Sequence, residues 1–111
     1  MSYEVYQRPA AQDDAPPPTA DEPWHVVLEY SNRGDAKPPT KLVVRPYKYD
    51  DRDSAYTAAE HQAFDFAPPD PFSPQGREVY RDGPDGFLIV IQGAMSTFHF
   101  SSRIVQFVGK R

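Results

Sequence analysis

Between Trp24 and Ser31 apolar and polar residues alternate. Trp24, Val26, Leu28 and Tyr30 fall on one side of an extended chain, and His25, Val27 and Glu29 on the other. Successive side chains of a strand point to opposite faces, so this pattern predicts a half-buried strand. Turn-forming residues fill 31–40, and KLVVRPYKYD then predicts a second strand. Its alternation puts Leu42 and Val44 on one face and Lys41, Val43, Arg45, Tyr47 and Tyr49 on the other. Pro46 has no N–H to give to a ladder, which predicts an edge strand or a bulge at that point.

The period changes over DDRDSAYTAAEHQAFDF, residues 50–66. Ala55, Ala59, Gln62, Ala63 and Phe66 line one stripe of a helix with Tyr56 beside it, and small alanines let such a helix sit close on a sheet. Asp51 or Asp53 is placed to cap its start, where carboxylates suit the helix dipole. The proline-rich APPDPFSPQG forbids regular structure. Three further strands follow: REVYR, then FLIVIQ after the turn DGPDG, then STFHFSSRIVQFVG. Gly83 and Gly86 are read as positive-φ positions of that turn. FLIVIQ is apolar on both faces and predicts a central strand covered on each side. In the last strand Phe98, Phe100, Ile104 and Val108 are expected inward, and Thr97, His99 and Arg103 outward.

These elements define an α+β fold. A curled, mostly antiparallel five-stranded sheet of order β-β-α-β-β-β carries one helix, and the last three strands form a meander. Composition adds a second part to the chain. An apolar fraction of 39% is low for a globular protein, whereas 14% aromatic residues is too rich for a disordered one. A polar arm on a ring-filled body reconciles the two figures. Residues 1–23 carry five carboxylates against one arginine, the whole formal net charge of −4, and include Pro16, Pro17 and Pro18. They read as a flexible, acidic, proline-rich arm before a single domain, 24–111, that is electrically neutral. Three prolines in a row could serve an aromatic groove as a polyproline ligand; a solvated leader is the simpler reading.

The neutral body argues against nucleic-acid binding through bulk charge. The chain has no cysteine, so thiol catalysis, thiolate metal sites and disulfides are excluded. Residues 1–14 show no basic n-region and no apolar h-region, and the longest apolar run, Phe87–Ile91, falls far short of the roughly 20 residues that span a bilayer. A soluble cytoplasmic protein that does not engage membranes is the expectation. Abundant Ala, Asp, Arg and Pro with little Asn or Lys is the codon habit of high-GC bacterial genomes.

The candidate chemistry is sparse. His25, His61 and His99 lie in no catalytic or metal-ligating spacing, although His25 and His99 both face outward and could meet across the sheet beside Glu29. Asp50, Asp51 and Asp53 are better explained by capping, and Asp82 and Asp85 lack the spacing of a calcium loop. No glycine pattern cradles a phosphate. No catalytic residue, metal ligand or cofactor is assigned, and the reading leans away from an enzyme.

The binding set read from the sequence is Lys41, Arg45, Tyr47 and Tyr49, together with His99. Cations interleaved with rings are what a single-stranded nucleic-acid platform needs, and equally what a solvated face of snorkelling side chains looks like. The leading expectation is a small non-catalytic binding or regulatory module, meeting a protein partner or a second copy of itself through an exposed sheet face or edge. Single-stranded nucleic-acid binding along 41–49 is an alternative. A small-molecule-binding protein or small enzyme with a pocket under the helix is another. The acidic arm could also fold back over the basic strand. Arg33-Gly34-Asp35 matches the tripeptide that adhesion proteins show to integrins. Here it sits in a loop where Gly34 supplies positive φ and Asn32 or Asp35 bonds local backbone. Without a secretory context it marks a turn, and integrin binding is not expected.

Overall fold

The computed structural model describes residues 22–34, 36–71 and 73–111. The acidic arm, except for its last residues, and Asp35 of the Arg-Gly-Asp tripeptide lie outside the described residues. The elements are β1 (Trp24–Ser31), β2 (Thr40–Val44), α1 (Arg52–Asp65), β3 (Gly76–Arg81), β4 (Gly86–Gln92) and β5 (Thr97–Gln106). All neighbouring strands pair antiparallel in one open sheet of order β2-β1-β5-β4-β3. The order β-β-α-β-β-β and the C-terminal meander are those expected from the sequence. The helix lies across one face.

Local chemistry fixes that helix. The Asp51 carboxylate accepts from the Ser54 N–H at 2.7 Å, filling one orphan donor of the first turn. Ala55, Ala59 and Ala63 are fully buried, so the backbone approaches the sheet closely. Beneath them lie Val26, Leu28, Phe87, Ile89, Ile91, Phe100 and Ile104. The last turn is held from β3: the Arg77 guanidinium donates to the carbonyls of Ala63 and Phe66, each at 2.8 Å. This places a cation where the dipole favours one.

Three expectations need correction. The middle of the sheet is β5, not β4, and the face of β4 away from the helix carries no second layer among the described residues. Leu88 and Val90 are half-buried there. Val108 is 74% exposed rather than inward, because β5 ends where its partner begins, at the pair Trp24 and Gln106. Ser102, between Phe100 and Ile104, takes an inward place: it is fully buried and its hydroxyl donates to the Ala59 carbonyl at 2.8 Å.

The third correction concerns Gly86. Gly83 does adopt positive φ, 71°, but Gly86 is an extended residue of β4. Its glycine requirement is one of space, since a Cβ built there would sit 2.7 Å from the Cβ of Arg103, its pair on β5. Gly86→Ala therefore pushes β4 and β5 apart and costs about 1–3 kcal/mol of stability, the range for overpacked sites. A urea titration giving the variant wild-type stability contradicts this.

Candidate functional site

Which face of β2 meets the helix is decided by its register on β1. Lys41 pairs with Tyr30 and Val43 with Leu28, both helix-side residues. Leu42 pairs with Glu29 and Val44 with Val27, on the face the helix leaves open. The apolar side of β2 is thus the exposed one: Leu42 is 53% and Val44 50% exposed. Val27, flanked by Val44 and Arg103, is nevertheless buried.

The backbone of β2 is as consequential as its side chains. The Asn32 N–H donates to the Pro39 carbonyl at 2.7 Å, and the Arg45 N–H to the Val26 carbonyl at 2.8 Å. In an antiparallel ladder, bonded pairs recur at every second residue. Lys41, Val43 and Arg45 therefore bond to β1, while Thr40, Leu42 and Val44 turn their N–H and C=O groups away from the sheet. Among the described residues no other strand covers this edge. Pro39 and Pro46 bound it.

On the helix side, Arg45, Tyr47 and Tyr49 come together at the end of β2, whereas Lys41 shares the face but stands opposite Tyr30, outside their cleft. Arg45, Tyr47, Tyr49 and Gln62 line a cleft of about 190 Å³ floored by Val26 and Ala58. Beyond Arg45 the ladder slips, and Trp24 and Tyr49 next exchange both backbone bonds, at 2.9 Å each. The strand is the edge strand that Pro46 predicts, but it ends at Val44 and does not run on through Tyr49 as its alternation suggests. The Tyr47 and Tyr49 rings sit 4.6 Å apart, tilted by 43°, so each covers part of the other. Among the described residues the ion pairs are Arg52 with Asp85 at 2.6 Å and Arg103 with Glu29 at 3.2 Å, so Lys41, Arg45 and Lys48 have no acidic partner there.

His99 does not join this group. It projects from β5 onto the open face, with the sheet between it and the tyrosines. There it lines a polar cleft of about 320 Å³ with Glu29, Ser31, Thr40 and Ser101. His25 lies on the same face but pairs with Val105, whereas His99 lies level with Ser31 at the opposite end of β1. The two imidazoles do not meet, and the His25 Nδ1 instead lies 2.9 Å from the Arg45 carbonyl oxygen. Nucleophilic chemistry needs a hydroxyl bonded to its base. The Ser101 hydroxyl accepts from the Arg103 guanidinium, at 3.1 Å. Elsewhere on this face the Tyr80 phenol donates to Glu78 at 3.1 Å, and that bond and the carboxylate's charge hold the phenol above its usual pKa.

Leu42 and Val44 were not singled out by their residue types. The signal available was the alternation of β2, which separates its two faces without saying which one is outermost. Comparison with family models, with curated proteins and with solved structures finds no match to this chain.

Proposed function

We propose that this protein is a non-catalytic binding module that takes up an extended segment of a protein partner along the free edge of β2. One observation carries the reading: a strand whose outward backbone groups meet no partner among the described residues also exposes Leu42 and Val44 beside them. Strand addition uses both, the backbone for affinity and alternate side chains for selectivity. Exposed edges are a hazard that proteins usually blunt with lysine and proline. Here Lys41 lies on the helix side, and the prolines limit the edge to one short strand. The cysteine-free chain supports a reducing, cytoplasmic setting.

A second reading rests on the Arg45, Tyr47 and Tyr49 cleft, whose arginine has no acidic partner among the described residues and which suits single-stranded nucleic acid. The mutual contact of the two rings and the neutral body weigh against it. Affinity capture from native lysate separates the readings. Capture through the β2 edge persists after nuclease treatment and at raised salt, and is lost with Leu42→Pro. That substitution removes an outward N–H and no bond to β1. Capture that disappears with nuclease or salt and survives Leu42→Pro supports the nucleic-acid reading instead, since phosphate contacts weaken steeply with salt.

A further inference from the structure

Resting on the assignment of β2 as the binding edge, we propose that the partner strand is the β2 of a second copy, joined about a two-fold axis at Leu42 into one continuous sheet. The outward groups belong to Thr40, Leu42 and Val44. An antiparallel pairing centred on Leu42 sets Thr40 against Val44 of the other copy and Leu42 against Leu42. Every outward N–H of these residues then meets an outward carbonyl. Moving the centre by one residue in either direction sets Val44 against Pro38 or Thr40 against Pro46, and neither proline has an N–H to complete the pair.

Side chains agree with that register. Leu42 and Val44, about half exposed in the single chain, meet Leu42 and Thr40 of the other copy on the open face. Lys41 falls opposite Val43, so no like charges stand directly opposed, although Lys41 lies diagonal to its own copy. Opposed like charges destabilise strand pairs, whereas diagonal neighbours sit about 7–8 Å apart.

The other edge of the sheet fails the same requirement. On β3 the Asp82 N–H donates to the Gly86 carbonyl at 2.8 Å, so Arg77, Val79 and Arg81 are the outward residues. A two-fold at Val79 sets Arg77 against Arg81 in both halves. Both arginines are also engaged by the helix, Arg77 through the Ala63 and Phe66 carbonyls and Arg81 through the Tyr56 hydroxyl at 3.1 Å. Self-pairing is therefore specific to β2.

The absence of cysteine makes the test direct. Opposed residues of a bonded antiparallel pair have Cα atoms about 5.5 Å apart, within the range a disulfide spans. Leu42→Cys converts to a covalent dimer under mild oxidation, while Val79→Cys, at the middle of the other edge, stays monomeric. By sedimentation the wild type dimerises with rising concentration, and added salt does not weaken the dimer because it screens Lys41 from its copy. Leu42→Glu, at a half-exposed position the fold tolerates, remains monomeric. A wild type that is monomeric throughout, or equal cross-linking of the two cysteine variants, overturns self-pairing. If the monomer still captures another protein in a Leu42→Pro-sensitive manner, the binding edge stands and only the identity of the partner fails. If capture ignores Leu42→Pro as well, both fail.

Discussion

Phe100→Ala lowers the free energy of unfolding by about 3–5 kcal/mol, the cost of emptying a buried aromatic site. Phe100 is fully buried on the middle strand, paired with Tyr30 of β1 on one side and Ile89 of β4 on the other. Its ring meets Phe66 edge-on, with centroids 5.3 Å apart at 70°, and Phe66 in turn meets Tyr30 at 5.1 Å. The Arg77 guanidinium carbon lies 5.7 Å from the Phe100 centroid. One truncation therefore opens a cavity, removes the support of the helix C-terminus and loosens the arginine that caps it. A domain of this size has about 5–15 kcal/mol of stability in all, so the variant is close to unfolding at ambient temperature. Urea unfolding followed by circular dichroism reads the loss from the midpoint at an unchanged slope. A loss below about 1 kcal/mol contradicts this view of the core.

The second large effect lies at the helix–sheet contact. Ala59→Leu destabilises the fold by about 3 kcal/mol, the upper part of the range for overpacking. Ala59 has no exposed surface, its carbonyl accepts from the buried Ser102 hydroxyl, and Ala55 and Ala63 flank it one turn away. A leucine has nowhere to go unless the helix lifts, and lifting it breaks the Ser102 bond and strands a hydroxyl in the core. Ala58→Leu, one residue along and only partly buried, is the matched control and costs much less. Equal melting temperatures for the two variants contradict close packing by the alanine stripe.

These two sites mark how far the sequence could be read. The strands of β1 and β5 and the alanine stripe are local patterns with periods of two and about 3.6, so they stand out without tertiary information. A capping aspartate at 51 or 53 and the edge position of the strand before Pro46 follow equally from local chemistry, and the structure selects Asp51. What could not be read depends on pairing between distant segments. The apolar run of β4 looks like a central strand, but only its register with β5 shows that Leu88 and Val90 lie on an open face. Gly86 reads as a turn glycine until Arg103 is placed beside it. Ser102 shares the inward side of β5 with Phe100 and Ile104, but only the Ala59 carbonyl above it explains how a hydroxyl is accommodated there. For the candidate site, alternation puts Lys41 and Arg45 on one face of β2, but it does not reach Tyr47 and Tyr49, which join Arg45 beyond the slip in the ladder, and His99 belongs to the other side of the sheet. Leu42 and Val44 were separated from the cations but not recognised as exposed, because one strand's alternation cannot say which of its faces the helix will cover.

The edge of β2 is tested most directly by amide hydrogen exchange along residues 40–45 as the protein is concentrated. At high dilution Val43 and Arg45, bonded to β1, exchange slowly, and Thr40, Leu42 and Val44 exchange fast. On concentration, the Thr40, Leu42 and Val44 amides become protected in step with one another, because a partner strand now accepts their hydrogen bonds. Exchange at these three amides that stays fast at every concentration, and stays fast with a captured partner present, contradicts β2 as the binding edge.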